Sequence, residues 1–538
     1  MEWSKYRGYR VSIRKFIFLE CCLLKKNLRR LQRQLGGGGD DHGGFQTVFR
    51  RWRRQYGGGF GGGHGGSSLF IEPSTNLKFR LYGLGIGLGR WRSPKCKGVL
   101  PPGSMGLPLI GETIQLVIPS ASLDLPPFIK KRIKRYGPIF RTNIAGRPVI
   151  ITADADFNHF LLRQDGKLVD TWSMDTFAEV FDQASQSSRK YTRNLTLNHF
   201  GVESLKSKLL PQMEDMVRKT LSTWSSHQSV EVKSQSVTMA IDFAARQIFS
   251  GDLENAPLNI SDMFRDLVEG LMSFPINIPG TSHHKCLQIH KKVREMMRGV
   301  VTKRLAESEL RQQHGDLLDH IIQDKNTESF INEDFIVQLM FGLLFVTSDS
   351  ISTTLALAFK LIAEHPLVLE ELTAEHEAIL KNRENPNSTL TWDEYKSMTF
   401  TLQVINEVLR LGNIAPGFFR RALKDIPVNG YTIPSGWVIM IATAGLHLDA
   451  NQFEDPLEFN PWRWKEIQSS VVAKCFMPFG SGMKQCAGAE YSRVLLATFL
   501  HVLVTKYRWA MVKGGKIVRS PIIRFPDGFH YKISEKNN

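Results

Sequence analysis

Of the six cysteines in this 538-residue chain, Cys486 has the most specific surroundings. It lies in Phe476-Met477-Pro478-Phe479-Gly480-Ser481-Gly482-Met483-Lys484-Gln485-Cys486-Ala487-Gly488, ahead of an apolar, helix-like run from Tyr491 to Lys506. A thiolate is a soft ligand that suits iron. Holding iron on one sulfur requires that the sulfur be fixed, with backbone amides around it and no bulk in front of it. Glycines permit both the close approach and the unusual backbone angles. A cysteine in a glycine-rich loop is by itself equally a structural thiol, so the wider spacing decides.

That spacing, Phe-x-x-Gly-x-Lys-x-Cys-x-Gly, resembles the haem-thiolate signature of the cytochrome P450 monooxygenases, in which Arg usually stands where this chain has Lys484. The resemblance implies haem b with Cys486 as the axial iron ligand. It also places Phe479 and Gly480 around the sulfur and Lys484 on a haem propionate, keeping the charge of Arg without its fork.

A second constellation lies upstream. Asn332 can cap a helix whose first turn carries Glu333 and Asp334, which suits the helix dipole. The apolar pattern runs to Glu364, before His365-Pro366. About 32 residues at 1.5 Å each span roughly 48 Å, enough to cross the molecule. In its middle sits Thr347-Ser348-Asp349-Ser350-Ile351-Ser352-Thr353-Thr354. Such hydroxyls bond back to helix carbonyls and are expected to open a local kink beside a ligand. An acid followed by an alcohol is the pair that delivers protons to dioxygen, Ser350 holding oxygen and a water while Asp349 refills the relay. The family's motif, Ala/Gly-Gly-x-Asp/Glu-Thr-Thr, aligns with Val346–Ile351. The acid matches, Ser350 replaces Thr, Thr347 replaces Gly and Ile351 replaces the second Thr.

Glu407 and Arg410, three apart on a helix predicted over Phe400–Leu411, share a face. With Arg463 in Phe459-Asn460-Pro461-Trp462-Arg463-Trp464 they resemble the family's Glu–Arg–Arg triad, a structural network that pins the cysteine loop. The resemblance also assigns Arg420, at the end of Ile414-Ala415-Pro416-Gly417-Phe418-Phe419-Arg420, to a propionate. Arg193, in Arg189-Lys190-Tyr191-Thr192-Arg193, takes the place of the family's Trp-x-x-x-Arg arginine and is given the same role. Arg189, Lys190, Arg193 and Lys484 would form a basic patch for an acidic electron donor. Met272, Phe274, Ile276 and Ile278 would form an apolar lid, and Gly430–Trp437 reads as a hairpin.

The formal charge of +17 is uneven. Residues 1–99 hold 20 Lys and Arg against 5 Asp and Glu, so +15 of it, together with 20 of the 44 glycines. The basic balance therefore describes an appendage and is silent about the substrate. Residues 1–97 read as a basic, Gly-rich arm, expected to be disordered where glycine dominates, from Gly36 to Gly66. The short apolar stretch Phe16–Leu24 falls below the ~20 residues that span a bilayer, so any contact is with a membrane surface. Nucleic-acid binding by Arg50, Arg51, Arg53 and Arg54 is a weak reading. The prolines of Leu100–Gly111 mark the boundary of a second region, 98–538, and match the family's hinge. The cysteines show no paired spacing.

The expected fold is mainly α with a smaller β region, an α+β helical prism around a buried haem. The hinge, the hairpin and Phe-Asn-Pro-Trp-Arg-Trp look most like the plant clan that oxidises brassinosteroids, sterols and triterpenoids. The resemblance then implies hydroxylation of an apolar polycyclic substrate with O2. Electrons would come from NADPH through a reductase at the cytosolic face of the endoplasmic reticulum. A haem-thiolate isomerase or dehydratase is the rival, although it has no use for Asp349-Ser350. A degenerate haem protein acting through its basic arm is another.

Overall fold

The computed structural model describes residues 97–107, 110–181, 185–250, 260–273, 275–309, 315–385 and 388–536. The arm expected over residues 1–97 lies outside them except for Lys97, and so does Phe274 of the expected lid. Nine described helices have 12 or more residues: α1 (Gln186–Phe200), α2 (Leu210–Ser225), α3 (Val232–Phe249), α4 (Ile260–Leu271), α5 (Ser282–Glu309), α6 (Glu333–Glu364), α7 (Pro366–Lys381), α8 (Thr399–Gly412) and α9 (Ala489–Lys506). The largest sheet has strands β1 (Ile139–Ile144), β2 (Arg147–Thr152), β3 (Val169–Thr171), β4 (Phe418–Ala422) and β5 (Val438–Ile441), in the spatial order β1-β2-β5-β4-β3. Its one parallel pair is β2 with β5; the rest are antiparallel.

Helix α6 is the axis of the core. Asn332 Oδ1 accepts the Phe335 amide at 2.8 Å, and Glu333 and Asp334 occupy the first turn, so the start of the helix is both capped and electrostatically favoured. It ends where Pro366 opens α7. Helices α3, α4, α5, α7 and α8 pack against it. Among the described residues it is the one helix long and apolar enough to cross a membrane, but this packing makes it a core helix. The hydroxyls in its middle do bond back to carbonyls: Thr347 to Leu343 and Leu344, Ser350 to Val346, Ser352 to Ser348, Thr354 to Ser350. The helix continues as α through all of them. Each hydroxyl adds its bond without displacing the ladder.

The hairpin needs a correction as well. Its strands are Ile426–Val428 and Tyr431–Ile433, joined at Asn429 (φ 46°) and Gly430 (φ 77°). Two successive positive φ angles give the tight turn that matches strand twist. The later turn at Gly436 instead leads into β5, in the other sheet.

Several histidines are buried and held neutral. His501 Nδ1 lies 3.0 Å from His376 Nδ1, and His376 Nε2 lies 2.9 Å from Thr401 Oγ1, whose own proton goes to Glu375 Oε2 at 2.6 Å. Thr401 oxygen therefore accepts from His376 Nε2–H, leaving His376 Nδ1 to accept from His501 Nδ1–H. Burial, with the neighbouring His501, holds His376 well below the usual imidazole range. Burial also lowers His501 to about 3, and lowers His447 to about 3 with help from Arg410 and Arg519. The unfolded chain takes up these protons near pH 6.5 while the folded chain refuses them. Stability is thus complete above pH 6.5 and falls as pH drops toward 3, by about 1.4 kcal/mol per pH unit for each such histidine. Urea midpoints measured between pH 7.5 and 5 are expected to fall steadily from pH 6.5 downward; a flat profile over that range would contradict the neutral pair.

Candidate active site

The cysteine loop is assembled from its own backbone. Cys486 N donates to Phe479 O at 2.9 Å, Gly480 N to Met477 O at 3.1 Å and Gln485 N to Gly482 O at 3.1 Å. Gly482 has φ 69°, and a Cβ there would meet Leu162 O at 2.9 Å. This position accepts glycine for both reasons. Gly488 comes immediately before α9; its amide reaches the sulfur, and a Cβ on it would stand 3.9 Å from Sγ. Burial pushes the Cys486 thiol up, while the Gly488 amide and the charges of Arg193 and Arg493 pull it back toward the thiolate. The Arg493 guanidinium lies over the Phe479 ring, 4.8 Å from its centroid.

A network behind the loop fixes it. Buried Glu407 accepts from Arg410 Nη2 at 2.7 Å, Arg410 Nε at 2.9 Å, Arg463 Nε at 3.0 Å, Trp464 Nε1 at 3.0 Å and Asn460 N at 3.2 Å. Arg410 spends its remaining donors on the carbonyls of His447, Pro456 and Glu458. Two paths run on from this network to the cysteine loop. The Trp464 ring packs on Phe476 with centroids 4.4 Å apart, and His447 Nε2 accepts the Met477 amide at 3.0 Å. Sequence reasoning missed His447, since a lone histidine in an apolar stretch carries no signal of its partner thirty residues on.

In front of the sulfur opens a cavity of about 1210 Å³. This exceeds the roughly 300–1,000 Å³ of a pocket for one small molecule. Cys486, Phe479, Gly480 and Lys484 line one end, with Arg420 and Phe418 from β4 beside them. One face of α6 forms the opposite wall: Asp334, Phe335, Gln338, Leu339, Gly342, Leu343, Val346, Thr347, Ser350, Ile351 and Thr354. These positions recur at three- and four-residue steps, the period of a single helix face.

The site residues inferred from sequence divide accordingly. Cys486, Ser350, Phe479, Gly480, Arg420 and Lys484 meet around this one cavity. Asp349 does not line it. One residue from Ser350, it is turned about 100° around the helix and pairs with Lys233 of α3 at 2.9 Å, with 34% of its side chain exposed. Arg193 does not line the cavity either; its Nη1 donates to Gln485 O at 2.6 Å, so it braces the cysteine loop. Met272, Ile276 and Ile278 are half-buried, and none of them lines the cavity. Asp165 was not anticipated. It is buried between Arg420 Nε at 3.4 Å and Lys484 Nζ at 3.9 Å. Arg420 Nε is itself buried, with no hydrogen-bond partner among the described residues.

These residues fit a haem. Cys486 would supply one sulfur ligand to an iron whose remaining equatorial ligands a haem carries itself. The glycines leave the sulfur uncovered, the wall opposite is mostly apolar, and two cations line the cavity where they can meet carboxylates.

A mainly helical fold with one cysteine facing a large, mostly apolar cavity is the arrangement that suits a haem-thiolate enzyme. The cytochrome P450 family model matches residues 101–525, and the chain belongs to that family. It is a cytochrome P450 monooxygenase, of the mainly helical α+β fold expected from its motifs. It is similar to the cucurbitadienol 11-hydroxylase of Siraitia grosvenorii, 50% identical over 84% of this chain and 96% of that protein. The beta-amyrin 16-alpha-hydroxylase of Maesa lanceolata is also 50% identical, over 83% and 95% respectively. The structure of a retinoic acid-bound cyanobacterial cytochrome P450 superposes with a TM-score of 0.72 at 25% identity, covering 82% of this chain and all of that one. These plant relatives bear out the resemblance to the clan that oxidises sterols and triterpenoids.

Replacing Arg410 by Leu takes one of two cations and two of five hydrogen bonds from the buried Glu407 carboxylate, for which about 3–5 kcal/mol of lost stability is expected. The same change at Lys465, on the surface with Glu371 at 3.3 Å, is expected to cost at most about 1 kcal/mol. Chemical denaturation of both variants makes the comparison, and equal losses would contradict a buried network.

Proposed function

We propose that this monooxygenase hydroxylates an apolar polycyclic terpenoid of the triterpenoid or sterol type. One oxygen atom of O2 enters a C–H bond and the other leaves as water, with two electrons from NADPH passed on by a reductase. The observation that carries this reading is the single cavity joining Cys486 to Ser350 and continuing along the apolar face of α6. The bound haem supplies the site where dioxygen is activated. The chain's own residues hold, orient and protonate.

Ser350 faces the cavity with its hydroxyl on Val346 O at 3.0 Å, from which it can turn to donate to a bound oxygen or water. Asp349 stands with one side toward solvent and Lys233, and relays protons inward by rotating its side chain toward Ser350. Arg420 and Lys484 hold the propionates. The apolar wall binds the substrate by burial, which suits rigid hydrocarbon rings with few polar groups. Arg189, Lys190, Arg193 and Lys484 form the basic side that receives the electron donor. Attachment to the endoplasmic reticulum, on its cytosolic face, is the reading for this chain from its family membership.

The direct test is a carbon monoxide difference spectrum of the reduced protein, followed by turnover of cucurbitadienol and beta-amyrin with NADPH and reductase. A long-wavelength thiolate Soret band that disappears in Cys486→Ala, with NADPH-dependent hydroxylated product, is the expected result. A band typical of His-ligated haem would sink it. Turnover without NADPH would favour the isomerase reading instead. Asp349→Asn is expected to keep haem and substrate binding while slowing product formation, and unchanged turnover would remove Asp349 from the relay.

Gly342 tests the cavity itself. A Cβ added there meets nothing within 4 Å, although glycine inside a helix costs about 1 kcal/mol relative to alanine. Gly342→Ala is expected to raise the melting temperature and spare binding. Gly342→Phe is expected to retain haem but lose the Soret shift on adding triterpenoid. An unaltered shift in the phenylalanine variant would place the substrate elsewhere.

A further inference from the structure

His447 is wholly buried, and its two ring nitrogens are treated unequally. Nε2 accepts the Met477 amide at 3.0 Å, which requires the ring proton to be on Nδ1. Nδ1 is buried too, and it has no hydrogen-bond partner among the described residues. A histidine serving only to fill space would be better replaced by a residue with no polar atoms, because an unpartnered buried N–H is costly. The imidazole is therefore held for what Nε2 does. Its backbone carbonyl accepts Arg410 Nη1 at 2.9 Å, so the same residue touches the Glu407 network on one side and the cysteine loop on the other. Its ring also packs against Phe476, with centroids 5.5 Å apart. Met477 is the residue whose carbonyl accepts the Gly480 amide, one step before Phe479 O receives the amide of Cys486.

We propose that His447 is a positioning residue for the axial thiolate: its Nε2 fixes Met477, and through the turn at Met477–Gly480 it sets where Cys486 stands relative to iron. This inference rests on the haem-thiolate reading. Removing the acceptor leaves the Met477 amide buried and unsatisfied, which biases the loop against its native position by roughly 5- to 150-fold.

The test uses full-length holoprotein and compares two amides that differ in where they carry oxygen. In His447→Gln the side-chain oxygen reaches toward the place of Nε2, whereas in His447→Asn it falls short, near that of Nδ1. The readout is the ratio of short- to long-wavelength Soret bands in the reduced carbon monoxide complex, taken with haem content and melting temperature. The glutamine variant is expected to keep the wild-type ratio. The asparagine variant, and His447→Leu where it folds, are expected to shift severalfold toward the short-wavelength form while haem remains bound. If Gln and Asn give the same ratio, His447 is not a positioning residue, whatever their melting temperatures. A wild-type protein without the long-wavelength band would instead defeat the haem-thiolate reading, so the two failures are distinct.

Discussion

A sulfur can serve as the axial ligand of a haem iron only if the loop that bears it cannot relax toward or away from the metal, and glycines make that loop intrinsically soft. In this protein the stiffness comes from outside the loop, from the Glu407 carboxylate and the five donors that converge on it. A buried charge is tolerable only when fully compensated. Because Arg410, Arg463, Trp464 and Asn460 all serve the same acceptor, loss of the Glu407 carboxylate would strand all of them. Trp464 and His447 carry this rigidity to Phe476 and Met477, at the start of the cysteine loop.

The opposite wall uses a different device. Helix α6 is capped at Asn332, packed by helices on several sides and left with one face toward the cavity. On that face small and apolar side chains leave space at Gly342 and place a hydroxyl at Ser350. The acid next to it must point elsewhere because successive residues are 100° apart. Asp349 thus sits where it can touch both Lys233 and the exterior. The carboxylate charge thereby stays out of the cavity's low dielectric.

The basic rim carries the departure from the family pattern. With Lys484 in place of Arg, the cation is a point charge on a flexible stem. Asp165 lies 3.9 Å from it and 3.4 Å from Arg420, so the two cations share one buried carboxylate. Arg193, assigned a propionate from its motif, instead braces the Gln485 carbonyl. Arg189, which stands where the motif has tryptophan, lines the cavity, and Arg193 does not.

Much of this was legible in the linear chain, and for a physical reason: local rules govern the features in question. The bounds of α6 follow from a cap, two acids and a proline; the glycines of the cysteine loop follow from φ and close approach; and the Glu407–Arg410 pair follows from helical spacing. The hydroxyl cluster was visible too, and its bonds back to carbonyls one turn earlier follow from helix geometry. What only the tertiary structure decided are the partners brought together across long stretches of chain: Lys233 with Asp349, Asp165 between Arg420 and Lys484, and Met477 on His447. Spacing determines which face of an element a side chain occupies, but which distant atom meets it depends on how the helices and the sheet pack, and no local pattern records that.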